Sequence, residues 1–284
     1  MSIVITGATG KLGRHVVEQL LEKVPADRIT AVVRDRARAT DLAERGVRLA
    51  VADYNAPETF DGLFAPGDKV LLISGNEFDK GRPQQHKVVV DAARAAGVAL
   101  LAYTSAPGTL TAALADDHRA TEEILVGSGV PYTLLRNGWY HENYTENLTP
   151  VLEHHAVVGA AGEGRVSSAS RADYAAAAVA VLTGEGHENR TYELGGDTAW
   201  GLAEFAAELS RQTGEEIAYT PVSVDTFADI LAGAGLPAPL AAMLAAVDAS
   251  IEKGELVVST GDLSRLAGRP TTPLGEAVAA ALKG

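Results

Sequence analysis

Cysteine is missing from all 284 residues, which excludes disulfides, thiolate metal sites and thiol catalysis. Basic charge is scarce too: 24 lysines and arginines face 37 acidic side chains, a formal net charge of -13. That field would repel a phosphate backbone, so nucleic acid is not expected as a partner. No apolar run is long enough to span a bilayer, and the N-terminus enters a strand without the basic stretch and apolar core of a leader. The chain therefore reads as cytoplasmic, with no membrane partner. His141, His154 and His155 have no metal-ligand spacing, and no metal is expected. Aromatic residues make up only 5% of the chain, which draws attention to each Trp and Tyr. With 46% hydrophobic and 21% charged residues the composition is globular, not disordered. The length suits one large α/β domain or a nucleotide domain with a smaller lobe.

What is present is organised around Gly7-Ala8-Thr9-Gly10-Lys11-Leu12-Gly13. The apolar run 3–5 before it reads as a buried parallel strand, and Leu12, Val16, Val17, Leu20, Leu21 and Val24 recur at helical spacing after it. Gly7 allows a sharp turn off the strand, Gly10 allows a pyrophosphate close to the backbone, and Gly13 allows the helix to pack near the sheet. The opening amides of such a helix favour an anion. A dinucleotide phosphate site is the expectation.

Further strands are expected at 29–33, 47–52, 69–74, 99–104, 131–136 and 191–194, alternating with helical segments. Ligands of such sheets lie beyond the carboxyl ends of the strands. Arg34, about twenty residues past Gly13, would accept the 2′-phosphate of NADP, although a one-residue shift would put Asp35 at the ribose instead. Asp53 would accept from an adenine amino group or cap the turn that follows. Ser74 and Gly75 end the fourth strand, Tyr103 the fifth, and Asn137-Gly138-Trp139-Tyr140 follows the sixth. A capping box is expected at Ser170 to Asp173 before a helix at 171–182. Residues 140–152, 202–213, 225–232 and 238–251 read as helical. The whole is an α/β chain with a doubly wound parallel sheet and a smaller, mostly helical C-terminal lobe.

These residues carry a resemblance. The glycine stretch, Ala31-Val32-Val33-Arg34, Ala102-Tyr103-Thr104-Ser105 and the run Tyr132 to Asn143 are similar to the NmrA-like branch of the short-chain dehydrogenase/reductase superfamily. So are Gly159-Ala160-Ala161-Gly162, Arg171-Ala172-Asp173-Tyr174, and Tyr192-Glu193-Leu194 followed by Trp200. Within that branch the chain looks most like the NADPH-dependent quinone oxidoreductases of type 2, with triphenylmethane dye reductases as relatives. The resemblance implies a Rossmann unit over 1–137 with later returns near 165–195, a substrate-side lobe over 138–284, and hydride transfer from NADPH to a quinone. It also implies that Gly7 to Gly13 hold the pyrophosphate and Arg34 the 2′-phosphate. Ser74, Gly75, Tyr103 and the segment Asn137, Gly138, Trp139, Tyr140, His141 and Glu142 would line the ribose and nicotinamide end.

The Tyr and Lys four residues apart that serve alcohol chemistry in the wider superfamily are absent; the corresponding helix holds His118 and Glu122 at that spacing. A quinone leaves a stable phenolate after accepting hydride, so its reduction can proceed by proximity and orientation without a dedicated proton shuttle. Asn137 or Tyr103 would then donate a hydrogen bond to the developing oxyanion, and Trp139 or Tyr140 would stack on a flat acceptor. Asn137 as a turn residue and Trp139 as core packing are the plain alternatives. His118 is a candidate proton donor. Two other functions stay open: a dye or xenobiotic reductase, and a redox sensor that binds dinucleotide without catalysis. A homo-oligomer is also open, with no pattern that identifies its face.

Overall fold

The computed structural model describes residues 1–75 and 81–283. In chain order the first half runs β1 (Ile3–Ile5), α1 (Lys11–Leu21), β2 (Ile29–Val33), α2 (Thr40–Glu44), β3 (Arg48–Val51), β4 (Lys69–Leu72), α3 (Arg82–Ala96), β5 (Leu100–Ser105), α4 (Leu114–Gly127) and β6 (Tyr132–Asn137). The second half runs α5 (Glu142–Thr145), α6 (Thr149–His154), β7 (Ala156–Gly159), α7 (Arg171–Thr183), β8 (Arg190–Leu194), α8 (Leu202–Thr213), β9 (Ala218–Pro221), α9 (Val224–Gly233), α10 (Ala238–Glu252), α11 (Asp262–Ala267) and α12 (Leu274–Ala281).

Seven parallel strands form one sheet in the order β3-β2-β1-β4-β5-β6-β8. The order reverses between β1 and β4, and the strands that flank that point leave a crevice at their carboxyl ends. Both faces of the sheet are covered, which explains why β1, β4 and β5 are buried along their whole length rather than at alternate positions. On one face Val16, Val17 and Leu20 of α1 pack with Ala175, Ala178 and Leu182 of α7 over Ile3, Ile5 and Leu71. On the other, Val89, Val90 and Ala93 of α3 and Leu125 of α4 pack over Val4, Val70, Leu72 and Leu101. This is the expected doubly wound sheet.

The Ser170 cap is present in full: its hydroxyl accepts from Asp173 N and its own N–H donates to Asp173 Oδ2. The segment expected to be helical through 140–152 is instead two short helices, α5 and α6, and α6 starts afresh at a proline in its first turn. The C-terminal lobe also contains a two-stranded parallel sheet, β7 with β9, that the sequence reading did not foresee. Each strand is four residues long, and β9 ends in Pro221, so neither shows a readable alternation. A third core joins Trp200, Phe205, Leu209, Val247 and Ile251 within this lobe.

Candidate functional site

A cleft of about 640 Å³ lies along the carboxyl ends of the main sheet, a volume ordinary for a small-molecule site. At one end Gly7, Thr9, Gly10, Lys11, Leu12 and Gly13 line it. Gly7 has φ +62°, a conformation open to glycine and costly for other residues. A Cβ on Gly13 would lie 2.3 Å from the Gly7 carbonyl oxygen, so a side chain here would force turn and helix apart. A Cβ on Gly10 would meet only that same oxygen, at 3.2 Å, and otherwise face open space. Helix α1 begins with no capping side chain and no acidic residue in its first turn. Its N–H groups and dipole are thus directed at the cleft, and suit a pyrophosphate. Ala8 is fully buried and contributes backbone rather than a lining side chain.

Arg34 and Arg38 both border the next stretch, and Arg38 was not singled out from sequence. Asp35 is turned away from the cleft and accepts from Ala37 N at 2.9 Å, capping a 3-10 turn. Of the two, Arg34 borders the cleft and Asp35 does not. Asp53 lines the cleft while its Oδ1 accepts from Asn55 N at 2.9 Å, so the capping alternative holds and the side chain is also at the site. Behind it Tyr54 donates to Thr6 Oγ1 at 2.6 Å and stacks on Phe60, which ties the ends of β1 and β3 together.

At the centre are Ser74, Gly75, Thr104, His118 and Asn137. Gly75 N donates to His86 Nε2 at 3.0 Å, so the Nδ1–H of His86 points to Thr121 Oγ1 at 3.0 Å. Arg82 can only donate, and its Nη1 lies 3.3 Å from His118 Nε2; the proton of His118 is therefore on Nδ1, directed at the Tyr103 hydroxyl 2.8 Å away. Burial first, and the Arg82 charge second, lower both histidines to a pKa of about 3. His118 is thereby held in its neutral form at physiological pH, which counts against it as a candidate proton donor.

Tyr103 needs the same correction. It is fully buried behind His118, on the β5 face that packs against α3 and α4, and it does not line the cleft. Its neighbour Thr104 does, because successive side chains of a strand point to opposite faces. Asn137 is 7% exposed, borders the cleft, and its Oδ1 has no hydrogen-bond partner among the described residues. A buried amide oxygen without a partner carries a free-energy cost that a ligand donor would relieve.

Beyond Asn137, Gly138, Trp139 and Tyr140 continue the wall as expected. A Cβ on Gly138 would come 2.9 Å from both Leu194 O and Tyr174 Oη, which is why glycine stands there. Trp139 meets both readings, since it packs against the C-terminal core and also borders the cleft. The Arg171 guanidinium lies 5.0 Å from the centre of the Tyr140 ring and covers one of its faces. His141 and Glu142 do not reach the cleft. His141 is buried, donating from Nε2 to Thr272 O and accepting from Ser168 Oγ, and Glu142 accepts from Arg171 N at the start of α7. Both are drawn off because the chain turns into α5 directly after Tyr140. The far end of the cleft is apolar, made by Ala106, Pro107, Leu110, Trp139 and Leu256. Among these only Trp139 was anticipated.

Residues 7–185 match the NAD(P)H-binding family. The chain belongs to that family. This member of the NAD(P)H-binding family is 48% identical to quinone oxidoreductase 2 of Escherichia coli over 97% of each chain. Its fold is similar to the crystal structure of an NADPH-dependent quinone oxidoreductase from that organism in complex with NADPH (TM-score 0.95, 47% identity, 99% of each chain). It is also similar to the triphenylmethane reductase of Citrobacter sp. (TM-score 0.94, 42% identity, 100% of each chain). Among the described residues no helix is long and apolar enough to cross a membrane, and no group of three or more His, Asp or Glu is placed to hold a metal ion.

Proposed function

We propose that the chain is a reductase that uses NADPH to reduce quinones and similar flat conjugated acceptors. The observation that carries this reading is the continuity of one cleft. It runs from a glycine cradle with a helix N-terminus, past Asn137, to an apolar corner, and the histidine that borders its centre, His118, is held neutral by burial. The likeness to a quinone reductase along nearly the whole chain supports it.

In this reading residues 1–137, with 165–195, form the cofactor unit, and 138–284 the acceptor side. The backbone of Gly7 to Gly13 and the α1 N-terminus hold the pyrophosphate. Arg34, joined by Arg38, pairs with the 2′-phosphate, as a planar guanidinium suits phosphate oxygens. Asp53 stands at the adenine. Ser74, Gly75 and Thr104 bracket the ribose, held by the His86 hydrogen bond to Gly75 N. Bound NADPH supplies a hydride. Asn137 orients the reacting pair through its amide, and Trp139 with the apolar corner gives a flat ring a dry surface to lie on. The acceptor then takes its proton from water, consistent with a neutral His118 and a buried Tyr103. We place the protein in the cytoplasm, where a cysteine-free reductase needs no oxidising surroundings.

The test is loss of NADPH absorbance by purified protein with benzoquinones, naphthoquinones and a triphenylmethane dye, repeated with NADH. Quinone-dependent turnover that favours NADPH is expected. Tight dinucleotide binding with no turnover on any acceptor would overturn the reading and leave a sensor. Turnover confined to the dye would transfer the assignment to dye reduction.

A further inference from the structure

The apolar end of the cleft is closed by two segments that are far apart in the sequence. Ala106, Pro107 and Leu110 belong to the loop between β5 and α4, and Leu256 to the segment after α10. Leu110 and Leu256 are 2% and 1% exposed, so they are buried within the third core while still bordering the cleft.

The loop has two kinds of anchor. Toward the main sheet, Gly108 N donates to both carboxylate oxygens of Glu193 on β8, at 3.1 and 3.3 Å. Glu193 is held in turn by Arg136 Nη1 at 2.8 Å, and Arg136 also pairs with Glu122 of α4. A Cβ on Gly108 would stand 2.5 Å from that guanidinium, so the loop is pressed against it. Arg119 Nη1 adds a bond to Leu110 O at 2.8 Å.

Toward the C-terminal lobe, the partner is Glu255. Its Oε2 accepts from Thr111 N at 2.9 Å, its Oε1 accepts from Thr111 Oγ1 at 2.6 Å, and its backbone oxygen accepts from Thr109 Oγ1 at 2.6 Å. Glu255 is next to Leu256 and Thr111 is next to Leu110. The carboxylate thus joins the two strips of backbone that carry the facing leucines.

We propose that Glu255 is a positioning residue that sets the width of the acceptor end of the cleft by latching the 106–111 loop to the segment bearing Leu256. The proposal rests on the reading of that end as the acceptor site. Glu255 itself does not line the cleft. It acts through Leu110 and Leu256, so its loss should loosen the grip on a small flat acceptor more than on a bulky one, and leave the distant glycine cradle alone.

The test compares Glu255→Ala, Glu255→Gln and Thr111→Val in the full chain. Glutamine keeps an oxygen for Thr111 and should rescue; alanine should not. For Glu255→Ala we expect KM for a naphthoquinone to rise about tenfold, as for the loss of hydrogen bonds to a charged group. The kcat, the Kd of NADPH read by its fluorescence, and KM for a triphenylmethane dye should change less than about threefold. Thr111→Val should fall between wild type and Glu255→Ala. Hydrogen exchange over 106–112 should quicken in Glu255→Ala without any ligand present. Equal rises in both KM values, an equal loss of NADPH affinity, or a Gln variant as impaired as Ala would overturn the latch. If the unaltered protein reduces no acceptor, the functional reading fails on its own; the exchange measurement still decides the latch, and unchanged exchange in Glu255→Ala refutes it.

Discussion

At its glycine end the cleft is walled by one strand-turn-helix, residues 3–13, whose contribution is mainly backbone: N–H groups, a helix dipole and space where side chains are missing. At its apolar end the wall is side chains, and Ala106, Leu110, Trp139 and Leu256 arrive from three separate stretches of chain. The first end is built from residues close together in sequence, whereas the second needs the 106–111 loop and the segment bearing Leu256 to meet, as they do where Glu255 accepts from Thr111. In the reading proposed above, a local backbone cradle suits the cofactor and a wall of side chains from distant segments suits the acceptor.

The sharpest way to break this comparison is Gly13→Val. A Cβ here would lie 2.3 Å from Gly7 O and 2.9 Å from Ala8 Cα, and neither backbone atom can yield without opening the turn. We expect NADPH binding to fall at least about a hundredfold and the melting temperature to drop, in line with an overpacking cost of about 1–3 kcal/mol. Fluorescence titration beside thermal unfolding checks both. Retained NADPH affinity would show that the cradle tolerates a side chain and that its backbone is not what binds.

Arg34→Ala sharpens the comparison within the cofactor end, where one side chain does matter. Loss of charge-assisted hydrogen bonds to a phosphate should weaken NADPH about tenfold to a hundredfold. NADH affinity should scarcely change. Equal losses toward both cofactors would sink the 2′-phosphate assignment, and a loss smaller than about threefold would pass the role to Arg38.

The same contrast decides what was legible in the sequence. Gly7, Gly10 and Gly13 were readable because the turn they form has local steric requirements, and the strands β1, β2, β4, β5 and β6 because a largely buried strand shows as a mostly apolar run, while β3, exposed at both ends, still carries Leu49, Ala50 and Val51. Tyr103 was misplaced by one position of alternation: the strand was found, but on a strand buried on both faces nothing local tells which side looks into the cleft. His141 and Glu142 were placed in the cleft by continuing a motif past its strand, whereas the chain turns into α5 and sends them to Thr272 and Arg171 N. Arg38 lies four residues past Arg34 in a short 3-10 turn that also borders the cleft, a basic residue near enough in sequence to have marked the same rim. Leu110 and Leu256 carried none, since their meeting depends on tertiary structure alone. The strands β7 and β9 form a separate small sheet, where β9 is mostly exposed and ends in proline and so leaves no apolar run.

The smallest effect expected concerns how the two halves keep buried ionisable groups. The cofactor half buries His86 and His118 as neutral rings, whereas the C-terminal lobe buries a carboxyl, Asp248 of α10, 7% exposed and accepting from Ala160 N at 2.7 Å. The groups it faces, Tyr144 and Tyr219, are phenols themselves pushed up by burial, and among the described residues no cation offsets its charge. Burial raises its pKa from 3.8 to about 6. An acid whose pKa is higher folded than unfolded destabilises the fold where it ionises: not at all below about 3.8, increasingly up to about 6, and by a constant amount above that. Asp248→Asn removes the charge while keeping an oxygen for Ala160 N. It should therefore stabilise the protein at pH 7.5 by about 1–2 kcal/mol, less than the full shift allows at about 1.4 kcal/mol per pKa unit. That is a rise of a few degrees in Tm, and it should shrink toward nothing at pH 4. Thermal unfolding of both proteins across that range is the check. A gain of equal size at both ends of the range would mean that packing, not charge, separates the variants, and a loss at pH 7.5 would mean that Asp248 has a cationic or hydrogen-bonding partner that outweighs its burial.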